Sequence, residues 1–256
     1  MTPADAFNDT LGRARLLLRL HDGLINQRQR RIRSDWKARF VALMRWPASQ
    51  RIERVDTGEA IVVLRNGSQL TPEDFTRESM DELLRAAVAT GVSALDRYVH
   101  ERVTKGIVSA LRQGNLNRQQ RDFQLPAATA MRIADKVRAA RNSKSQVRPA
   151  NEIRTAVQEE IHKRPFQGWR DIEDAFALIG VTGISGKLQN SYRIGDVSLI
   201  KSQLNDIVRR RNEIVHEGDL QVHQRGGSVK RNEITHTFVK DSLDFIEHLV
   251  GHLDNL

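Results

Sequence analysis

A chain of 256 residues is long enough to bury a full core without covalent staples, and the absence of cysteine excludes disulfide scaffolds, cysteine-type zinc fingers and thiol catalysis. Lysine and arginine number 41 against 32 acidic residues, a formal charge of +9, and such a surface draws polyanions, nucleic acid first among them. The apolar run at the N-terminus, Leu16 to Leu18 between arginines, is far short of a membrane span and carries no cleavage signal, so a soluble protein of the reducing cytoplasm is expected.

In chain order, the apolar period of Leu11, Leu17, Leu18, Leu24, Ile25 and Ile32 predicts a helix over Phe7 to Phe40. The polar side of its second half is strongly basic, and Arg28, Arg30, Arg31, Arg33 and Lys37 are candidate nucleic-acid contacts there. After Trp46 and Pro47 the pattern changes to two short β-like pieces, Arg51 to Val55 and Ala60 to Leu64, with turn signals at Thr57-Gly58 and Asn66-Gly67, which predict a small hairpin. Thr71 and Pro72 open a helical segment as capping residue and first helical residue. From Met80 to Leu111, Leu84, Val88, Val92, Leu95, Val99, Val103 and Ile107 hold a helical period, the strongest helix of the chain and the expected backbone of the fold. A polar loop over Gly114 to Gln124, a helix to Ala140, a break over Asn142 to Pro149, a helix to about His162 and another over Asp171 to Ile179 follow. The glycines of Gly180 to Gly186 lack P-loop spacing and its terminal hydroxyl residue.

The next helix carries the residues of greatest interest. Val197, Ile200, Leu204, Ile207, Val208, Ile214 and Val215 form an apolar stripe, and Arg211 lies on it, three or four residues from its apolar neighbours on either side. A guanidinium directed toward a packed surface costs several kcal/mol (roughly) unless something polar or anionic meets it. Asp96, beside the stripe of the long helix and four residues before His100, is a candidate counter-charge. His216 follows just before the helix-ending Gly218, about 140° around the axis from Arg211, whereas Asn212 and His216 share a face.

Arg211-Asn212-Glu213-Ile214-Val215-His216, followed by Gly218-Asp219, resembles the R-x4-H signature of HEPN ribonuclease domains, in particular the branch grouped with RNA-ligase and phosphatase partners in bacterial defence and toxin loci. Ala94 to Glu101 is similar to that family's early core helix and Asp171 to Gly180 to its middle helix and turn, so that the likeness runs from about Phe7 to the end. Glu217-Gly218-Asp219 departs from the tyrosine-bearing variant of some HEPN toxins. The resemblance implies a mainly α fold, a HEPN-like helical bundle forming a single domain over residues 1–256 with a hairpin insertion at 51–65. It also implies a homodimer with a composite cleft, cleaving RNA without metal or other cofactor and leaving 2′,3′-cyclic phosphate and 5′-hydroxyl ends. Arg211, Asn212 and His216 are then the catalytic candidates, with Asp96, Asp219 and Arg210 in support; an antitoxin or other defence-system protein is a possible partner. The residue types suit this chemistry: imidazole exchanges protons near neutrality, and a guanidinium fork holds phosphate. The alternative is a non-catalytic, dimeric helical module that binds nucleic acid or a partner.

Arg231-Asn232-Glu233-Ile234-Thr235-His236 repeats the motif's pattern, but its arginine falls at or before the start of the last helix, where solvent exposure is the simplest state for a cation. The eight histidines include no HExxH, and the one ligand-like i, i+4 pair, His248 and His252, fits the polar face of that helix.

Overall fold

A computed structural model of the protein describes residues 2–25, 33–57, 60–114, 116–121, 123, 127–143, 149–193, 196–221 and 229–256. The fold is mainly α, and the longest element is α3, Arg77–Gln113. Thr76 caps its start by accepting the Ser79 N–H at 3.3 Å, and Gly114, at φ +69, closes its end in the left-handed conformation a helix terminus requires. Between these ends Leu84, Val88, Val92, Leu95, Val99, Val103 and Ile107 are all buried, each stabilising the fold by roughly 1.5–3 kcal/mol on area transfer.

Three helices pack lengthwise on α3. α1, Pro3–Leu24, begins with a Thr2/Asp5 capping box and runs antiparallel to α3, with Phe7 edge-on to Tyr98 at one end and His21 beside Asp81 at the other. α10, His236–Asp254, runs parallel to α3: Leu243 fills the space opened by Gly91, and Asp254 accepts the Tyr98 hydroxyl at 3.0 Å. Arg15 of α1 ties this pair together through Asp244 and Glu247 of α10. α9, Ser198–His216, buries Ile200, Leu204 and Ile207 in the same core. α6, Pro149–Ile161, and α7, Trp169–Leu178, cover the second half of α3, where Gly106 admits the Ile179 side chain. Further helices are α4, Arg118–Arg121, α5, Ala127–Ser143, and α8, Ile184–Tyr192.

The expected helix from Phe7 to Phe40 is two helices, α1 and α2, Ser34–Leu43. Ile25 turns to an extended conformation, φ −73 and ψ 164, while its N–H still bonds the His21 carbonyl. The hairpin meets the end of α1, where the Thr57 hydroxyl donates to the Gly23 carbonyl at 2.6 Å, satisfying an acceptor that the helix end leaves open. That hairpin is β1, Ile52–Asp56, paired antiparallel with β2, Ile61–Arg65, in the register Ile52 to Arg65. One face, Val55 and Leu64 with Val62, packs on Phe75 and Met80. No helix among the described residues is long and apolar enough to cross a membrane.

Candidate active site

Arg209, Arg210 and Arg211 follow one another on α9 and meet three different fates. Arg209 lies on the outer side, 2.9 Å from Asp206, with most of its side chain in water. Arg210 turns inward and meets Asp219, whose side chain is fully buried. Arg211 is half-buried and forms no ion pair among the described residues; its Nη1 donates to Asn212 Oδ1 at 3.0 Å, and its Nε is buried with no hydrogen-bond partner. The apolar stripe thus leaves the core as it nears the helix end: Ile207 is buried, Val208 and Ile214 are half-buried, and Val215 is 48% exposed.

The turn after the motif is built around Asp219. Glu217 and Asp219 both donate backbone N–H bonds to the Glu213 carbonyl, at 3.1 and 3.0 Å, and Gly218 and Asp219 both have positive φ, +65 and +59. Aspartate is among the few side chains that tolerate this conformation. Its carboxylate accepts both terminal nitrogens of Arg210, the second at 2.9 Å, and Arg85 Nε of α3 at 2.6 Å. Its backbone carbonyl accepts the Asn232 N–H at 2.8 Å, and Leu220 forms a bridge with Arg231. Arg85 also bonds Glu82 and the Asn232 carbonyl, and Glu82 takes Arg231. Two guanidiniums on one buried carboxylate therefore lock the C-terminal end of α9 to α3 and to the segment preceding α10.

His216 stands exposed in the last turn of α9, and no hydrogen bond joins it to Arg211 among the described residues. Asn212 is half-buried with its carbonyl oxygen engaged by Arg211. Asp96 does not meet Arg211: its carboxylate accepts the Phe166 N–H at 2.7 Å and lies 3.6 Å from His100 Nδ1, so it anchors the connector ahead of α7. The expected counter-charge is thereby corrected, because a backbone N–H in that connector holds the carboxylate. Arg33, 87% exposed at its side chain, and Lys37 lie at the start of α2, the second of the two helices that replace the predicted long one. Arg28, Arg30 and Arg31 lie outside the described residues.

The second hexapeptide is scaffold. Arg231 pairs with Glu82, Asn232 holds Asp219, and His236 Nε2 lies 2.8 Å from Asp22 of α1. Arg85, Glu82 and Asn232 escaped the sequence reading, although Arg85, beside Leu84 and Val88, shows the same intrusion of arginine into an apolar stripe as Arg211. Among the described residues no group of three or more His, Cys, Asp or Glu side chains is arranged to hold a metal ion.

The site thus offers an accessible imidazole and, on the same helix, a half-buried cation that no carboxylate among the described residues neutralises. A family model described as RiboL-PSP-HEPN matches residues 63–256, starting later than the expected Phe7, and contains the whole of α9 and the Asp219 turn. No curated protein and no solved structure matches the chain.

Proposed function

Because the chain belongs to the RiboL-PSP-HEPN family, we propose that it is a metal-independent endoribonuclease in which Arg211 and His216 perform the chemistry. The observation that carries this reading is the state of Arg211, the one cation of the Arg209 to Arg211 run left without a carboxylate among the described residues. A half-buried guanidinium in that state is stabilised by an incoming phosphodiester, which it receives as a bidentate fork. It then holds the charge that grows on the phosphoryl oxygens as the 2′-oxygen attacks.

His216 removes the 2′-hydroxyl proton, the 2′-oxygen bonds to phosphorus, and the bond to the 5′-oxygen breaks as that oxygen takes a proton from a second imidazole. The products are a 2′,3′-cyclic phosphate and a 5′-hydroxyl. One chain supplies one His216, and the helix places it about 140° from Arg211. A two-fold dimer with the α9 ends facing each other supplies both imidazoles and lets each Arg211 act with the partner's histidine. Asn212, on the His216 face, orients the ribose or the imidazole. Such an enzyme acts in the cytoplasm in defence or in a toxin and antitoxin pair.

Total RNA incubated in EDTA with wild type, Arg211→Ala and His216→Ala tests this. Cleavage by wild type alone, with cyclic-phosphate ends, is expected. Equal cleavage by His216→Ala refutes the assignment, and no cleavage by wild type at high concentration favours the non-catalytic binding module.

A further inference from the structure

The face formed by α2 and the hairpin carries a feature that the α9 site does not use. Trp36 and Phe40, one turn apart on α2, stack at 4.9 Å with 19° between planes, and Phe40 meets Trp46 edge-on at 5.9 Å. The Arg54 guanidinium lies over the Trp36 ring at 5.7 Å and that of Arg65 over the Trp46 ring at 4.6 Å. The result is an unbroken series of planar groups, Arg54, Trp36, Phe40, Trp46, Arg65, with all three rings half-buried and so partly open to solvent.

By the strand alternation, Val55, Val62 and Leu64 lie on the opposite face, against Phe75 and Met80, whereas Ile52, 2% exposed, is buried on the same side as Arg54 and Arg65. On the aromatic side an arginine closes each end of the ring series. Around it Lys37, Arg39, Arg45 and Arg51 have no carboxylate partner among the described residues, whereas Asp35 and Asp56 are held by Arg33 and Arg54. Leu43, Met44 and Ile61, 78%, 45% and 59% exposed, add apolar surface in the same region. α2 and β1 precede residue 63, so the family match does not cover them.

We propose that this face is a docking surface for single-stranded RNA, with successive bases stacking on the exposed parts of Trp36, Phe40 and Trp46 and Lys37, Arg39, Arg45 and Arg51 following the phosphates. Bases have π-faces whatever their sequence, and they stack on aromatic rings and guanidinium planes alike. A duplex hides those faces and offers only its phosphates, so the surface selects unpaired strands. The choice of RNA over other unpaired strands rests on the ribonuclease reading, but binding here is measured without cleavage.

Two of the three tryptophans belong to this face, and the third, Trp169, is 4% exposed, so tryptophan fluorescence reports directly on stacking. His216→Ala protein, which keeps the RNA intact, is titrated with a uridine oligomer of roughly a dozen nucleotides. Fluorescence quenching by the oligomer is expected, with none from a duplex of equal length. Trp46→Ala and Trp36→Ala weaken binding of the labelled oligomer roughly five- to hundredfold, while phenylalanine at either position restores most of it. Arg39→Glu with Arg45→Glu, both at exposed positions, weakens binding and flattens its salt dependence. Binding without quenching, or unchanged affinity in a folded Trp46→Ala protein or in the charge-reversal variant, overturns the proposal, as does binding that follows Leu43 and Met44 but not the rings and cations. Quenching that persists where wild type cleaves nothing refutes the nuclease alone; cleavage without quenching refutes the platform alone.

Discussion

Replacing Asp219 with asparagine tests the architecture of the α9 terminus with almost no change of shape. The carboxylate is fully buried, and the two guanidiniums it holds are nearly so, Arg85 with 7% of its side chain exposed and Arg210 with 14%. The amide removes the charge and turns an acceptor into a donor facing cations, so two buried charges lose their partner at once. Breaking a buried ion pair from one side costs about 3–5 kcal/mol, a large part of the roughly 5–15 kcal/mol that holds a domain folded. At about 2–4 °C per kcal/mol for a chain of this size, Asp219→Asn lowers Tm by roughly 6–20 °C in a thermal melt followed by circular dichroism. Adding Arg85→Met removes one of the orphaned cations, and the double variant recovers about 0.5–3 kcal/mol relative to the sum of the single changes. A loss under about 1 kcal/mol in Asp219→Asn, or strict additivity in the double variant, refutes the view that this carboxylate locks the motif helix to α3.

Adjacent arginines of α9 respond oppositely. Arg210→Ala destabilises by about 3 kcal/mol because Asp219 loses its bidentate partner, whereas Arg211→Ala, which breaks no ion pair among the described residues, changes stability by no more than about 1 kcal/mol; urea unfolding of the two variants compares them directly. Gly106→Ala places a Cβ within 2.8 Å of the Ile179 Cβ and against its methyl, and costs about 1–3 kcal/mol in the same measurement as α3 and the turn after α7 are pushed apart. Burial, together with the nearby Asp254 carboxylate, raises the Tyr98 hydroxyl pKa far above its ordinary value. The unfolded chain, with an ordinary tyrosine near pH 10, releases the proton first, so this contribution is whole below about pH 10 and is lost as pH rises above it. Tyr98→Phe therefore flattens the alkaline fall in stability, and an unchanged alkaline profile contradicts the assignment.

The parts of the fold legible in the sequence are those where one physical signal acts alone. The α3 stripe needs only a period near 3.6, and the hairpin needs only two β-like runs around turn residues; the helix ends fall within three residues of the expected ones and the strand ends within one. The break between α1 and α2 was illegible because the apolar period continues through it. Ile25 departs from helix in company with a contact from Thr57, a residue 34 positions from the carbonyl it satisfies, and no local pattern announces such a partner.

Arg211 shows the same limit at the scale of a single side chain. Periodicity identifies it as a cation on an apolar stripe, and the expectation of a compensating anion follows from desolvation alone. That reasoning applies with equal force to Arg85 on α3, and there it holds: Arg85 is buried and meets Asp219. The two cases differ in what the tertiary structure brings to each. Asp219 spends its oxygens on Arg85 and Arg210, and Asp96 is held by a backbone N–H, so neither carboxylate neutralises Arg211. Arg211, half-buried on the same helix as the exposed His216, has no carboxylate partner among the described residues, and the proposed binding of a phosphodiester relies on that state. The phosphodiester of an RNA strand is an anion of the right geometry for its guanidinium.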